Sequence, residues 1–108
     1  MHVKIRNKIA VIEFEADGQN AGHAEVMKEI IRLLDDNFKR FVFDFKWVEI
    51  SFNSGVSGFL VVTIKKLIDC GATVVIKNIS KTDIELLNVV GLSDIDKTCE
   101  KLIYGEIK

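Results

Sequence analysis

Proline is absent from this chain of 108 residues, and its seven glycines are scattered rather than pooled. That leaves no Pro/Gly-rich linker, repeat or low-complexity segment, and residues 1–108 read as one domain of short-linked elements. Only two cysteines are present, Cys70 and Cys99, too few for a disulfide framework, so the expected compartment is the reducing cytoplasm. Neither sign of charge dominates, because 15 Lys plus Arg meet 16 Asp plus Glu for a formal net charge of −1. A nucleic-acid or anionic-membrane binder normally shows a basic excess or stripe, and this balance argues against both. Long apolar runs are missing too: the longest reach four or five residues, against the roughly 20 of a membrane span. Met1-His2-Val3-Lys4-Ile5-Arg6 alternates polar and apolar residues, without the apolar stretch of a signal peptide. Membrane channels, secreted knots and zinc fingers are therefore set aside. What is there is 48% hydrophobic and 29% charged residues, the make-up of a folded domain with a real core.

The apolar periodicity divides the chain into elements. Val3–Ile5 and Ile9–Glu15 have the pattern of two strands, with Asn7-Lys8 as a hairpin turn between them. From Ala21 the period changes. Met27, Ile30, Ile31, Leu34 and Phe38 fall at three- and four-residue spacings, which predicts an amphipathic helix ending near Asn37. Arg40–Phe45 is almost continuously apolar and β-prone, which predicts a strand buried on both faces in the middle of a sheet. Ala72–Ile76 has the same character. Between them, Ser54–Cys70 has the length of a crossover helix, with Val56, Phe59, Leu60, Ile64, Leu67 and Ile68 inward and Gly71 as its stop. Val61-Val62-Thr63-Ile64 is poor in helix formers, but length and the glycine boundary favour a helix. Ser80-Lys81-Thr82-Asp83 opens a further helix in capping-box style, with Ile84, Leu87 and Val90 inward and Gly91 at its end. The tail has two readings, a short edge strand at Leu102–Tyr104 or a final helix over Asp94–Tyr104. This order predicts an α/β fold: a small mixed sheet whose later strands run parallel through right-handed crossovers.

Chemistry-bearing constellations are few. His2 and His23 have no metal-ligand spacing, and Cys70 and Cys99 form no Cys-x-x-Cys pair, so no metal, cofactor or catalytic residue is expected. Asp44 is the one charge within Phe41–Phe45. It lies where parallel strands present their carboxyl ends to ligands, but capping a neighbouring loop is the favoured role. No other residue is an evident acid–base partner for it. Phe52-Asn53-Ser54-Gly55-Val56-Ser57-Gly58 carries the most information. It is a polar, glycine-containing turn from a buried strand into a helix, where Asn53 or Ser54 can cap and the first amides favour an anion. The pattern of a phosphate-binding P-loop is absent.

These residues, taken with their spacing, resemble a STAS domain, the family named for sulphate transporters and anti-sigma factor antagonists. The landmarks are Phe41-Val42-Phe43-Asp44-Phe45, Val48-Glu49-Ile50, Ser54-Gly55, the helix after them, Gly71–Ser80 and Gly91-Leu92. The resemblance covers about residues 3–95. It implies a mixed four- to five-stranded sheet with about four helices, the helices to one side. It also implies a cytoplasmic, non-catalytic protein-interaction role in bacterial signal transduction and transcription regulation. In such partner-switching systems the free domain, an anti-anti-sigma factor, binds a serine kinase of the histidine-kinase-like ATPase class that is itself an anti-sigma factor. Phosphorylation at the helix start breaks the complex, because a phosphate adds roughly −1.5 to −2 charges to an interface shaped for a hydroxyl.

This chain departs from the family pattern at that very place. With Ser54-Gly55 matched to the family's closing Ser-Gly, Asn53 stands in the phospho-acceptor position and Phe52 replaces the preceding Asp. Asn accepts no phosphoryl group, and its neutral amide resembles the unphosphorylated state. A register with one deletion instead makes Ser54 the acceptor. The partner surface implied by the family is Phe52, Asn53, Ser54, Gly55 and Ser57, with Lys65 beyond them, in a monomer or weak homodimer. The alternative is a nucleotide- or anion-binding, or transport-associated, STAS module within a larger assembly.

Overall fold

A computed structural model of the chain describes residues 2–14, 23–46, 54–89 and 102–104. Along the chain they form β1 (His2–Arg6), β2 (Ile9–Glu13), α1 (His23–Asp35), β3 (Arg40–Asp44), α2 (Ser54–Asp69), β4 (Thr73–Lys77), α3 (Lys81–Val89) and β5 (Leu102–Tyr104). The strands make one five-stranded sheet in the order β1-β2-β3-β4-β5. β1 runs antiparallel to β2, and β2 to β5 are mutually parallel, so the sheet is mixed as expected. Leu102–Tyr104 pairs with β4 as an edge strand, which settles the two readings of that stretch. Three helices lie among the described residues.

The β1–β2 hairpin turns on Asn7 and Lys8, both at positive φ (51° and 65°). That pair of angles is a type I′ turn, whose twist matches the strands it joins. Lys at a left-handed position is strained, and its side chain has other work. Lys8 Nζ lies 4.8 Å from the centre of the Phe38 ring and 3.4 Å from the Asp36 carbonyl oxygen, tying the hairpin to the end of α1.

α1 and α2 end in the same way. The Asn37 N–H donates to Leu34 O and the Phe38 N–H to Leu33 O, with Asn37 at φ 68°. The Gly71 N–H donates to Ile68 O and the Ala72 N–H to Leu67 O, with Gly71 at φ 85°. Both are Schellman caps, and Phe38 and Ala72 are buried just beyond them. α3 begins with Ser80 Oγ accepting from the Asp83 N–H at 3.1 Å, one half of a capping box.

One face of the sheet holds the core. Ala10, Phe41 and Val74 align across β2, β3 and β4, as do Ile12, Phe43 and Ile76, and all six are fully buried. Val26, Ile30 and Leu33 of α1, Leu60, Val61, Ile64 and Leu67 of α2, and Leu87 of α3 join the same cluster. The three helices therefore share one side of the sheet. This corrects the expectation that Arg40–Phe45 is buried on both faces. In β3 only Phe41 and Phe43 are buried, while Val42 and Asp44 are half-exposed. Val, Ile and Phe suit either kind of strand, so an apolar run does not report how many faces are covered.

The buried stripe of α1 is also displaced from the expected one. Val26, Ile30 and Leu33 face the core at i, i+4 and i+7, Met27 and Leu34 flank them, and Ile31 is 40% exposed. Opposite them, Arg32 bonds both Glu29 and Asp36, holding the Glu29 carboxyl below its usual range through the Arg32 hydrogen bond.

In α2 the buried Thr63 Oγ1 has no hydrogen-bond partner among the described residues. A desolvated, unpaired hydroxyl is unfavourable, and valine keeps the shape without it. Thr63→Val is expected to raise stability by about 1 kcal/mol, read as a higher urea midpoint at unchanged slope. A lower midpoint would mean that the hydroxyl has a partner.

Candidate functional site

The parallel strands end together on one edge of the sheet, and the described residues of the candidate site gather there. The Phe14 N–H donates to Asp44 O (3.1 Å) and the Phe45 N–H to Lys77 O (3.0 Å), carrying the ladders one residue past β2 and β3. Phe14 and Phe45 stack with ring centres 4.6 Å apart and planes 11° from parallel. Phe14 also meets Phe43 at 6.0 Å and, edge-on, Phe59 of α2 at 6.4 Å. These four rings fasten the early part of α2 to the carboxyl edge of the sheet. Aromatic pairs of this geometry add about 0.5–1.5 kcal/mol beyond their buried area.

Asp44 closes β3 on that edge. Its Oδ1 accepts from the Lys46 N–H at 3.0 Å, an Asx turn, and from Asn78 Nδ2 at 2.8 Å. Asn78 follows β4 at φ 59°, a left-handed conformation that asparagine tolerates better than most residues. The carboxylate thus joins the chain leaving β3 to the chain leaving β4. This is the loop-capping role favoured for Asp44 on sequence grounds.

Of the residues singled out for partner binding, Phe52 and Asn53 lie outside the described residues. Ser54, Gly55 and Ser57 fall on the first turn of α2, whose start carries no acidic residue. The neutral helix start leaves the positive end of the helix dipole uncompensated by α2's own first turn. Lys65 does not join this group. It is half-buried and lies 11 residues from Ser54, about 16 Å along the axis at 1.5 Å per residue. The exposed line of α2 instead runs through Gly58, Val62, Lys66 and Asp69. A Cβ built on Gly58 would meet nothing within 4 Å, and Val62 is 62% exposed. At Gly58, α2 therefore presents a low surface, with the exposed Val62 side chain one turn on.

Sequence reasoning missed Val62, reading Val61–Ile64 only as poor helix formers. It also missed Asn78, although an Asn directly after a β-branched strand is a signal for a left-handed residue. The remaining sites are quickly placed. Cys70 is an exposed free thiol, His2 lies in β1, and His23 begins α1. Cys99 lies outside the described residues. A shallow concavity of about 530 Å³, lined by Lys4, Ile5, Arg6 and Val11, opens at the β1 edge rather than at the start of α2. No helix among the described residues is long and apolar enough to cross a membrane. Comparison with known proteins finds no matching family model, no matching curated protein and no matching solved structure.

Proposed function

We propose that this chain is a non-catalytic, cytoplasmic interaction domain of the STAS type, resembling an anti-sigma factor antagonist. It docks a serine-kinase-type anti-sigma factor through the start and exposed line of α2. The observation that carries this reading is the position of Ser54-Gly55. The pair that resembles the family's signature opens α2 immediately after the β3 connection, within the element order that the resemblance implies. The surface beside it supports the same reading. Gly58 lets a partner backbone approach closely, and Val62 supplies apolar contact in a line otherwise edged by Lys66 and Asp69. Asn53 in the acceptor position keeps a neutral side chain where related proteins receive a phosphate. The domain then stays competent to bind, or is regulated by means other than phosphorylation there.

The test is affinity capture from the native cytoplasm with wild type, Asn53→Asp and Gly58→Arg. Asn53→Asp places a negative charge at the switch position with minimal change of shape. Gly58→Arg builds into open space, so the fold tolerates it while the line along α2 is blocked. The expected result is that wild type retains an ATPase-type kinase and both variants lose it at least tenfold. Equal recovery by all three forms, or phosphate on Ser54 of the native protein with loss of binding, would overturn the proposal.

A further inference from the structure

The face of the sheet turned away from the helices has a pattern of its own. The registers align Val11, Val42, Val75 and Ile103 in one row across β2 to β5. Val11, Val42 and Val75 are half-buried, and no described helix packs over them. On one side of this row, at the amino ends of the parallel strands, Arg6, Ile9, Arg40 and Thr73 align. On the other side His2, Glu13, Asp44 and Lys77 align. Arg6 and Arg40 thus make one end of the face basic, whereas the other combines Glu13 and Asp44 with Lys77. Lys4, at the β1 end of the valine row, pairs with Glu13 at 3.0 Å.

We propose that this face binds a second copy of the chain, sheet against sheet, about a two-fold axis running across the strands through the valine row. Rotation about that axis exchanges the two ends of the sheet. The valine row then meets itself, Arg40 faces Asp44 of the second copy, and Ile9 and Thr73 face Glu13 and Lys77. Among the described residues both bonds to Asp44 fall on Oδ1, and an arginine of the second copy would bond Oδ2. The other face-to-face two-fold, with its axis along β3, sets Arg40 over Arg40 and Asp44 over Asp44, and only Glu13 and Lys77 then meet as opposite charges. The charge pattern therefore selects both the occupant and its direction.

The size of the face sets the strength. Strands about 4.8 Å apart, with about 3.3 Å per residue, make a patch of roughly 15–20 Å on a side. With side-chain relief this buries on the order of 1,000 Å² in total, the lower bound for a specific interface. The association is accordingly weak and quickly exchanging, in the high-micromolar range. This inference uses the opposite side of the sheet from the α2 surface and does not rest on the function proposed above.

Sedimentation of the chain from about 10 μM to about 1 mM spans that regime. Wild type is expected to gain mass with concentration, less so at high salt. Val42→Lys and Arg40→Glu are expected to weaken association at least tenfold with an unchanged circular-dichroism spectrum. Arg40 is exposed, so its variant decides the matter even if Val42→Lys fails to fold. Wild type sedimenting as a monomer throughout, or Arg40→Glu associating as wild type does, would overturn the proposal.

Discussion

Phe43→Ala is expected to lower the unfolding free energy by about 3–5 kcal/mol, whereas Val42→Ala, one residue away in the same strand, costs about 1 kcal/mol or less. Phe43 has no exposed surface, aligns with Ile12 and Ile76, and contacts the Phe14 ring. Its removal leaves a cavity in the centre of the face that the described helices cover, and cavity and transfer costs add there. Val42 points to the other face, where it is half-exposed. A small domain holds about 5–15 kcal/mol in total, so Phe43→Ala leaves a chain that is marginal near body temperature. Urea unfolding of the two variants, compared at unchanged slope, reads the difference. Losses of equal size would mean that both faces of β3 are buried and that the helices do not share one side.

The second large effect is at the carboxyl edge of the sheet. Asp44→Ala removes one acceptor from two donors, the Lys46 N–H and Asn78 Nδ2. Bonds to a carboxylate contribute about 1.5–3 kcal/mol each when a donor is left without its partner. The expected loss is about 2–3 kcal/mol, with the chain still folded and no loss peculiar to catalysis. Asn78→Ala loses the same contact and adds strain, because alanine sits poorly at φ 59°. Asn78→Gly relieves that strain and is expected to be the milder variant. A double-mutant cycle between Asp44→Ala and Asn78→Ala is expected to give a coupling of about 1 kcal/mol. Coupling near zero, with Asp44→Ala neutral, would mean that the carboxylate does not anchor the loop.

Most of the fold was legible because its boundaries are marked by residues with few alternatives. Asn7-Lys8, Asn37, Gly71 and Ser80 each stand where a left-handed residue or a helix cap is required, and the elements between them follow from periodicity. Helix α2 was legible in spite of its β-branched run, since Gly71 and the crossover length outweighed propensity. Less legible was the phase of each apolar face. In α1, Ile30 and Ile31 are equally apolar, and only packing shows that Val26, Ile30 and Leu33 point inward. In β3 the apolar run concealed an alternation that needs the register with β2 and β4 to be seen. At the candidate site the sequence identified Ser54, Gly55 and Ser57 as residues of one helix start, and that is where they fall. Lys65 lies three turns beyond Ser54 and about 20° round the helix from it, but it is half-buried, and the exposed line passes through Lys66.

Docking through the start and exposed line of α2 leaves a local signature in the backbone amides. Amide hydrogen exchange, measured with and without the protein captured by wild type, tests it most directly. Slowed exchange is expected in the first two turns of α2, around Ser54 to Val62, with the outer sheet face around Val42 unchanged. Protection confined to the β1 edge or the outer sheet face, with α2 unaffected, would contradict it.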